Sequence, residues 1–127
     1  MQKAAINAAD APAPVGGYPQ AVLLTEFKQL LFVSGQIPVG HDCDVPTGFN
    51  NQCALAWKNV EAQLRAAGMT LDNLVKVTIF LSDRRYAMDN RRIRQQVLGD
   101  RAPALTVIIT GIFDEKWLLE IEAIAAA

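Results

Sequence analysis

The segment Leu119-Glu120-Ile121-Glu122-Ala123-Ile124-Ala125, close to the C-terminus, alternates apolar and other residues over most of its length. In an extended strand, residues two apart share a face, so the two glutamates lie on one side and the apolar residues at 119, 121 and 123 on the other. The pattern predicts a half-buried strand over residues 117–125. Its two carboxylates belong either to a solvated edge or to the polar part of a pocket.

Upstream of this strand, the hydrophobic periodicity changes several times. Alternation, short apolar runs and β-branched residues predict four more strands, at residues 20–27, 29–35, 74–81 and 104–110. Helical spacing predicts helices over residues 51–67 and 83–97, the first capped by Asn50 or Asn51 and ended by Gly68. Residues 1–19, rich in Ala, Pro and Gly, predict an extended or irregular lead-in.

The order β-β-α-β-α-β-β indicates a single α+β domain, with a mixed sheet packed on two helices. Two helices in so short a chain cover one face of the sheet, and the other face needs a partner or water. That second face is predicted to be semi-polar. It would carry Ser34, Thr78, Glu120 and Glu122, which suits an oligomer with pockets between subunits.

Composition narrows the class of protein. The chain has 127 residues, of which 51% are hydrophobic and 20% charged, as in ordinary globular domains. Its formal net charge of −1 argues against a dedicated nucleic-acid binder. Six of the twelve basic residues are arginines between Arg84 and Arg101. They indicate either an anion or RNA patch, or the solvated face of a helix.

Metal, disulfide and membrane signals are weak. Cys43 and Cys53 form no CxxC pair, and His41 is the only histidine, so the run 41–44 is interpreted as a turn, not a metal site. The N-terminus lacks a basic region followed by an apolar core, and no apolar run approaches the ~18 residues of a membrane span. A cytoplasmic protein without membrane association is expected.

Several motifs, in the same order along nearly the whole chain, resemble those of the RidA family (YjgF, reactive intermediate deaminase). Ala11–Tyr18 resembles the family's "AP…IGPY" lead-in, and Phe32–Pro38 its "SGQIP" strand end. Gly68 with Leu74–Asp83 resembles "AAG…VVKTTVFL.D". Pro103-Ala104 and Glu120–Ala125 resemble "RPARS" and "EIEAIA". The resemblance covers residues 1–127 as one RidA-like domain.

This resemblance implies a chorismate-mutase-like α+β fold and a homotrimer whose sheets form a central barrel. Ligand clefts at the three subunit interfaces would hold a small 2-imino or 2-enamino acid. An arginine would grip the substrate carboxylate through its planar fork, and a glutamate would orient the attacking water. The products would be a keto acid and ammonia, and no cofactor or metal is implied.

Carried onto this chain, the resemblance gives one catalytic candidate and seven candidate ligand contacts. The water-orienting carboxylate is Glu120, and Tyr18 is the aromatic lid. The other contacts are Ser34, Gly35, Asn90, Leu105, Thr106 and Val107. Thr106 offers a hydroxyl where the family often has Ser, and Val107 stands where a cysteine is common.

One position departs from the family pattern. The residue after Pro103-Ala104, where the family has its arginine, is Leu105. A buried carboxylate needs a charged partner, which leucine cannot supply. Three interpretations follow: another arginine such as Arg101 reaches the cleft, the substrate is less anionic, or the cleft has a binding role.

Three functions stay open: hydrolytic deamination of an imine, an enamine or a related small substrate; a non-catalytic small-molecule-binding or regulatory trimer; and an endoribonuclease. The near-neutral charge and the lack of a histidine pair count against the last.

Overall fold

A four-stranded mixed sheet with two helices on one side forms the body of the protein. The structure is a computed structural model that describes residues 1–127. Its strands are β1 (Gln2–Ile6), β2 (Ala21–Thr25), β3 (Leu30–Gln36), β4 (Leu74–Leu81), β5 (Ala104–Ile109) and β6 (Leu119–Ala126). Its helices are α1 (Phe49–Ala66) and α2 (Ala87–Leu98), and short 3₁₀ turns cover Leu71–Asn73 and Arg84–Tyr86. The predicted α+β class with a mixed sheet and two helices is confirmed.

The sheet has the strand order β3-β6-β4-β5. Strands β3 and β4 both pair antiparallel with β6, while β5 pairs parallel with β4. A parallel pair needs a crossover connection, and α2 provides it between β4 and β5. Strand β6, predicted from its alternation, therefore lies inside the sheet.

The core lies between this sheet and the helices. Leu119 and Ile121 of β6 are fully buried, as are Ile79 of β4 and Trp57 of α1. These positions follow the period of two in the strands and the helical spacing in α1 that the sequence predicted. The predicted end of α1 is confirmed too: Gly68 has φ 72°, and the Met69 N–H donates to the Leu64 carbonyl at 2.8 Å, which is a Schellman cap.

The prediction of an extended or irregular lead-in did not include a paired strand at its start. Residues 2–6 form β1, which pairs antiparallel with β2 in a separate two-stranded sheet, with Ala4 opposite Leu23. The segment Gln2–Ile6 is exposed throughout and carries no alternation that marks a strand. The segment is a strand because it pairs with β2, which lies further along the chain.

Both predicted helix starts were also wrong. Helix α1 begins at Phe49 after Gly48, which has φ 86°, and no side chain caps it. Asn51 instead donates from Nδ2 to the Thr47 carbonyl at 3.0 Å. Helix α2 begins at Ala87, because Asp83 accepts a hydrogen bond from the Arg85 N–H at 2.9 Å and initiates a 3₁₀ turn first. Asx-type bonds of this kind compete with a regular helical start.

Neither helix combines the length and apolar character that crossing a membrane would require.

Candidate functional site

The face of the sheet that points away from the helices carries the polar strand positions. Glu122 pairs with Thr78 and Glu120 with Phe80, while the residues between them face the core. Glu120 is half-buried and Glu122 is exposed. A depression of about 300 Å³ on this face is lined mainly by Phe32, Ser34, Lys76, Thr78, Glu122 and Ile124. The predicted semi-polar outer face is therefore present.

Glu120 lies directly against the backbone of Gly35. Ser34 and Gly35 form a bulge in β3, since Val33 pairs with Ala123 and the next paired residue is Gln36, opposite Ile121. A methyl group added to Gly35 would lie 2.6 Å from Cδ of Glu120 and 2.9 Å from its Cγ. Only glycine leaves room for this side chain. The Glu120 carboxylate forms no hydrogen bond or ion pair within the chain, so its oxygens are free to accept from water or a ligand.

Gly35→Ala is expected to displace the Glu120 carboxylate while lowering the free energy of unfolding by no more than about 1 kcal/mol, because the far end of a flexible side chain can move aside. A crystal structure of the variant with a urea unfolding curve measures both effects. Gly111→Ala is the matched control, since nothing lies within 4 Å of a methyl group there. An unmoved Glu120 carboxylate in the Gly35→Ala structure would contradict the assigned contact.

Two polar side chains of α1 hold the segments that flank this contact. Asn59 donates from Nδ2 to the carbonyls of Ile37 at 2.9 Å and Val39 at 3.1 Å, just after Gly35. Gln52, only 3% exposed, donates to the Lys116 carbonyl at 3.0 Å and accepts from the Leu118 N–H at 2.8 Å, just before Glu120. Sequence reasoning missed both residues. The one signal in the sequence was their position, since Gln52 and Asn59 directly precede the buried residues Cys53 and Val60.

A second group of candidate residues lies around α2. Asn90 is 2% exposed, and its buried Oδ1 has no hydrogen-bond partner. Arg94, one helical turn further on, is 8% exposed. A methyl group placed on Gly16 would lie 3.4 Å from the Tyr18 ring and 3.6 Å from Nη2 of Arg91. The lead-in thus brings Tyr18 to the side of α2 that carries the arginines.

Burial lowers the pKa of the Arg94 guanidinium below its ordinary value. The positive charge of Arg91 lowers this pKa further, whereas Tyr18 acts in the opposite direction. Burial and the nearby positive charge both disfavour the charged form of Arg94. A bound anion would stabilise that charged form. Sequence reasoning interpreted the arginine run as a patch or a solvated face and singled out neither Arg91 nor Arg94.

Strand alternation places the three candidate site residues of β5 on two different faces of the sheet. Leu105 pairs with Val77 on the helix-facing side and packs against the core, and Val107 lies on the same side. Thr106 pairs with Thr78 on the outer face, where its Oγ1 accepts from Nζ of Lys76 at 2.5 Å. These three residues therefore do not all face one pocket.

The predicted site residues consequently fall into two groups on different sides of the sheet. Ser34, Gly35, Thr106 and Glu120 belong to the outer face. Asn90, Leu105 and Val107 belong to the side that carries the helices, and Tyr18 lies against α2. Within one chain, Glu120 does not share a face with Asn90 or Leu105.

Comparison with known proteins assigns this arrangement to a family. The profile of the family described as "Endoribonuclease L-PSP" matches residues 8–127. The RutC family protein PH0854 of Pyrococcus horikoshii is 33% identical, over 97% of this chain and 97% of its own. The chain belongs to the RidA/YjgF family.

Solved structures of this family have the same fold. RidA from an Antarctic Psychrobacter superposes with a TM-score of 0.75 at 26% identity, covering 98% of this chain and 99% of that one. Escherichia coli TdcF, solved with bound serine, superposes with a TM-score of 0.74 at 28% identity, covering 98% of both chains. A small molecule is thus bound by a related RidA-family protein.

The RidA resemblance places the family arginine at Leu105, and Arg101 was the candidate to replace it. Nε of Arg101 instead donates to Oδ1 of Asp72 at 2.7 Å, and its Nη1 donates to the Leu98 carbonyl at 3.3 Å. Arg101 is therefore held by partners of its own at the start of the segment that leads into β5. Among the arginines near α2, Arg94 is buried and forms no such pair.

Proposed function

We propose that this RidA-family protein hydrolyses a small imine or enamine, releasing ammonia, in clefts between the subunits of a homotrimer. Family membership supports a RidA-like reactive intermediate deaminase or L-PSP function in general terms. The observation that carries the finer proposal is the Glu120 carboxylate, which lies half-buried over Gly35 without a partner in the chain.

The chemistry requires one carboxylate and water. An enamine first tautomerises to its imine, as a proton leaves nitrogen and one is added to the β-carbon. A protonated imine carbon is electrophilic, and water adds to it while Glu120 accepts a proton from that water. The resulting carbinolamine breaks its C–N bond as the amine takes up a proton, which Glu120 returns. The carbonyl product and ammonia then leave. The proposal involves no metal or cofactor, since the imine supplies its own electrophile.

The division of the site residues supports the intersubunit position. Glu120 and Asn90 lie on different sides of one sheet, so a cleft that uses both needs residues from two chains. The outer face also exposes 69% of Phe32, an apolar surface that a neighbouring subunit would cover. Sedimentation equilibrium is expected to give a trimer. A stable monomer at working concentrations would contradict the proposed cleft.

The direct test is ammonia release from freshly generated 2-aminoacrylate and from an uncharged imine. Turnover above the spontaneous rate of hydrolysis is expected with at least one of them. A folded trimer that accelerates neither reaction would contradict the proposed hydrolase.

A small-molecule-binding or regulatory role is the second candidate. The observation that favours it is Leu105, a side chain without donors at the position of the family arginine. Stabilisation of the protein by a metabolite without its conversion would support this role over the hydrolase.

A further inference from the structure

The arginines near α2 differ in how their charges are compensated. Arg85, Arg92 and Arg101 each pair with an aspartate at 3.1, 3.4 and 2.7 Å, and all three side chains are substantially exposed to solvent. Arg94 is 8% exposed and pairs with no carboxylate of the chain. The arginine that most needs a counter-charge is thus one that has none.

This arrangement is unfavourable unless an anion completes it. Water compensates an exposed guanidinium, but a buried one needs a paired charge. The unpartnered Oδ1 of Asn90 lies one helical turn from Arg94, on the same side of α2. An acceptor that is buried without a donor is likewise unfavourable. A buried acceptor without a donor and a guanidinium without a counter-charge therefore lie one helical turn apart on α2.

The neighbouring residues favour an anion at this point. The lead-in brings Gly16 close to both Nη2 of Arg91 and the Tyr18 ring, so a second guanidinium lies beside the cluster. No aspartate or glutamate of the chain pairs with Arg91. Guanidinium groups match the planar geometry of a carboxylate through two parallel hydrogen bonds.

We propose that Arg94, assisted by Arg91, binds the carboxylate of the small-molecule ligand, and that α2 thereby supplies the positive charge absent at Leu105. The inference rests on the proposed small-molecule cleft and specifies its ligand as a small monocarboxylate. Asn90 would accept a hydrogen bond from an N–H of the same ligand. A carboxylate from a second copy of the chain is the competing partner for Arg94.

Equilibrium binding of pyruvate and of pyruvamide tests this assignment without any turnover. The two probes have the same carbon skeleton and differ in the carboxylate. Wild-type protein is expected to bind pyruvate more tightly than pyruvamide, and Arg94→Met to weaken pyruvate binding about 10- to 100-fold with little change for pyruvamide. Arg94→Lys should restore part of this loss. Arg92→Met is the control, because Arg92 is exposed and pairs with Asp89, and it should bind pyruvate like the wild type.

A measurement on unmodified protein covers the case in which Arg94→Met does not fold. The Nε–H resonance of Arg94 is expected to shift as pyruvate is added, and not with pyruvamide. Arg94-dependent pyruvate binding in a protein that releases no ammonia would uphold this inference while removing the hydrolase.

Pyruvate binding that is unchanged in folded Arg94→Met, or an Arg94 resonance that pyruvate leaves in place, would overturn the inference. Loss of the oligomer in Arg94→Met with pyruvate affinity retained would overturn it too, in favour of the subunit contact.

Discussion

Glu120→Gln is expected to lower kcat for ammonia release by about 100- to 10,000-fold, the range over which a positioned acid–base group contributes to catalysis. The amide has nearly the same shape and fits over Gly35 as the carboxylate does, but it does not accept a proton from the attacking water. The effect should fall on kcat more than on KM, because the change removes chemistry and leaves the cleft intact.

Glu122→Gln is the matched control for this measurement. Glu122 lies two residues further along β6 on the same outer face, is exposed, and pairs with Thr78, while the atoms nearest to a methyl group placed on Gly35 all belong to Glu120. Its kcat should stay within about two-fold of the wild type, since exposed polar changes have small effects. Equal losses in both variants would remove the special role of Glu120. An unchanged kcat in Glu120→Gln would exclude this carboxylate from the mechanism.

Trp57→Ala is expected to lower the free energy of unfolding by about 3–5 kcal/mol, the usual range for removing a buried tryptophan side chain. Trp57 is 1% exposed and is among the largest fully buried side chains of the protein. It belongs to the core cluster formed by the helices and the sheet, so its loss leaves a cavity that the neighbouring side chains fill only in part.

Urea unfolding at a fixed protomer concentration measures this change, with concentration held constant because an oligomer's stability depends on it. Lys58→Ala is the control on the same helix. Its exposed side chain forms no ion pair, so the free energy of unfolding should change by less than about 0.5 kcal/mol. A Trp57→Ala protein as stable as the Lys58→Ala protein would contradict the assignment of Trp57 to the core.

Prediction succeeded where a residue's neighbours along the chain decide its environment. The alternation of β6 correctly placed Leu119 and Ile121 in the core and Glu120 and Glu122 on the other face. Strand β4 was predicted with its observed bounds, and Gly68 as the end of α1. In each case the signal lies within a few neighbouring residues. It is either the alternation of apolar side chains or a glycine at a position that requires a positive φ.

Prediction failed where a distant segment of the chain determines the conformation or burial of a residue. Strand β1 exists because β2 pairs with it, and its own residues lack a strand pattern. Gln52 is buried in a helix because it bonds the chain around residues 116–118. Polar residues of this kind look like ordinary surface positions until their partners are known.

The amino-acid pattern thus established the α+β class, the polar and apolar faces of the strands, and the motifs that indicate the family. Periodicity and turn chemistry act over a few residues, so short stretches of sequence are enough to determine those properties. The contact of Glu120 with Gly35, the pairing of Leu105 with Val77 on the core side, and the buried, unpaired Arg94 emerged only from the fold. Strand register, burial and the presence or absence of a counter-charge depend on residues far away along the chain, and only the packed structure brings those residues together.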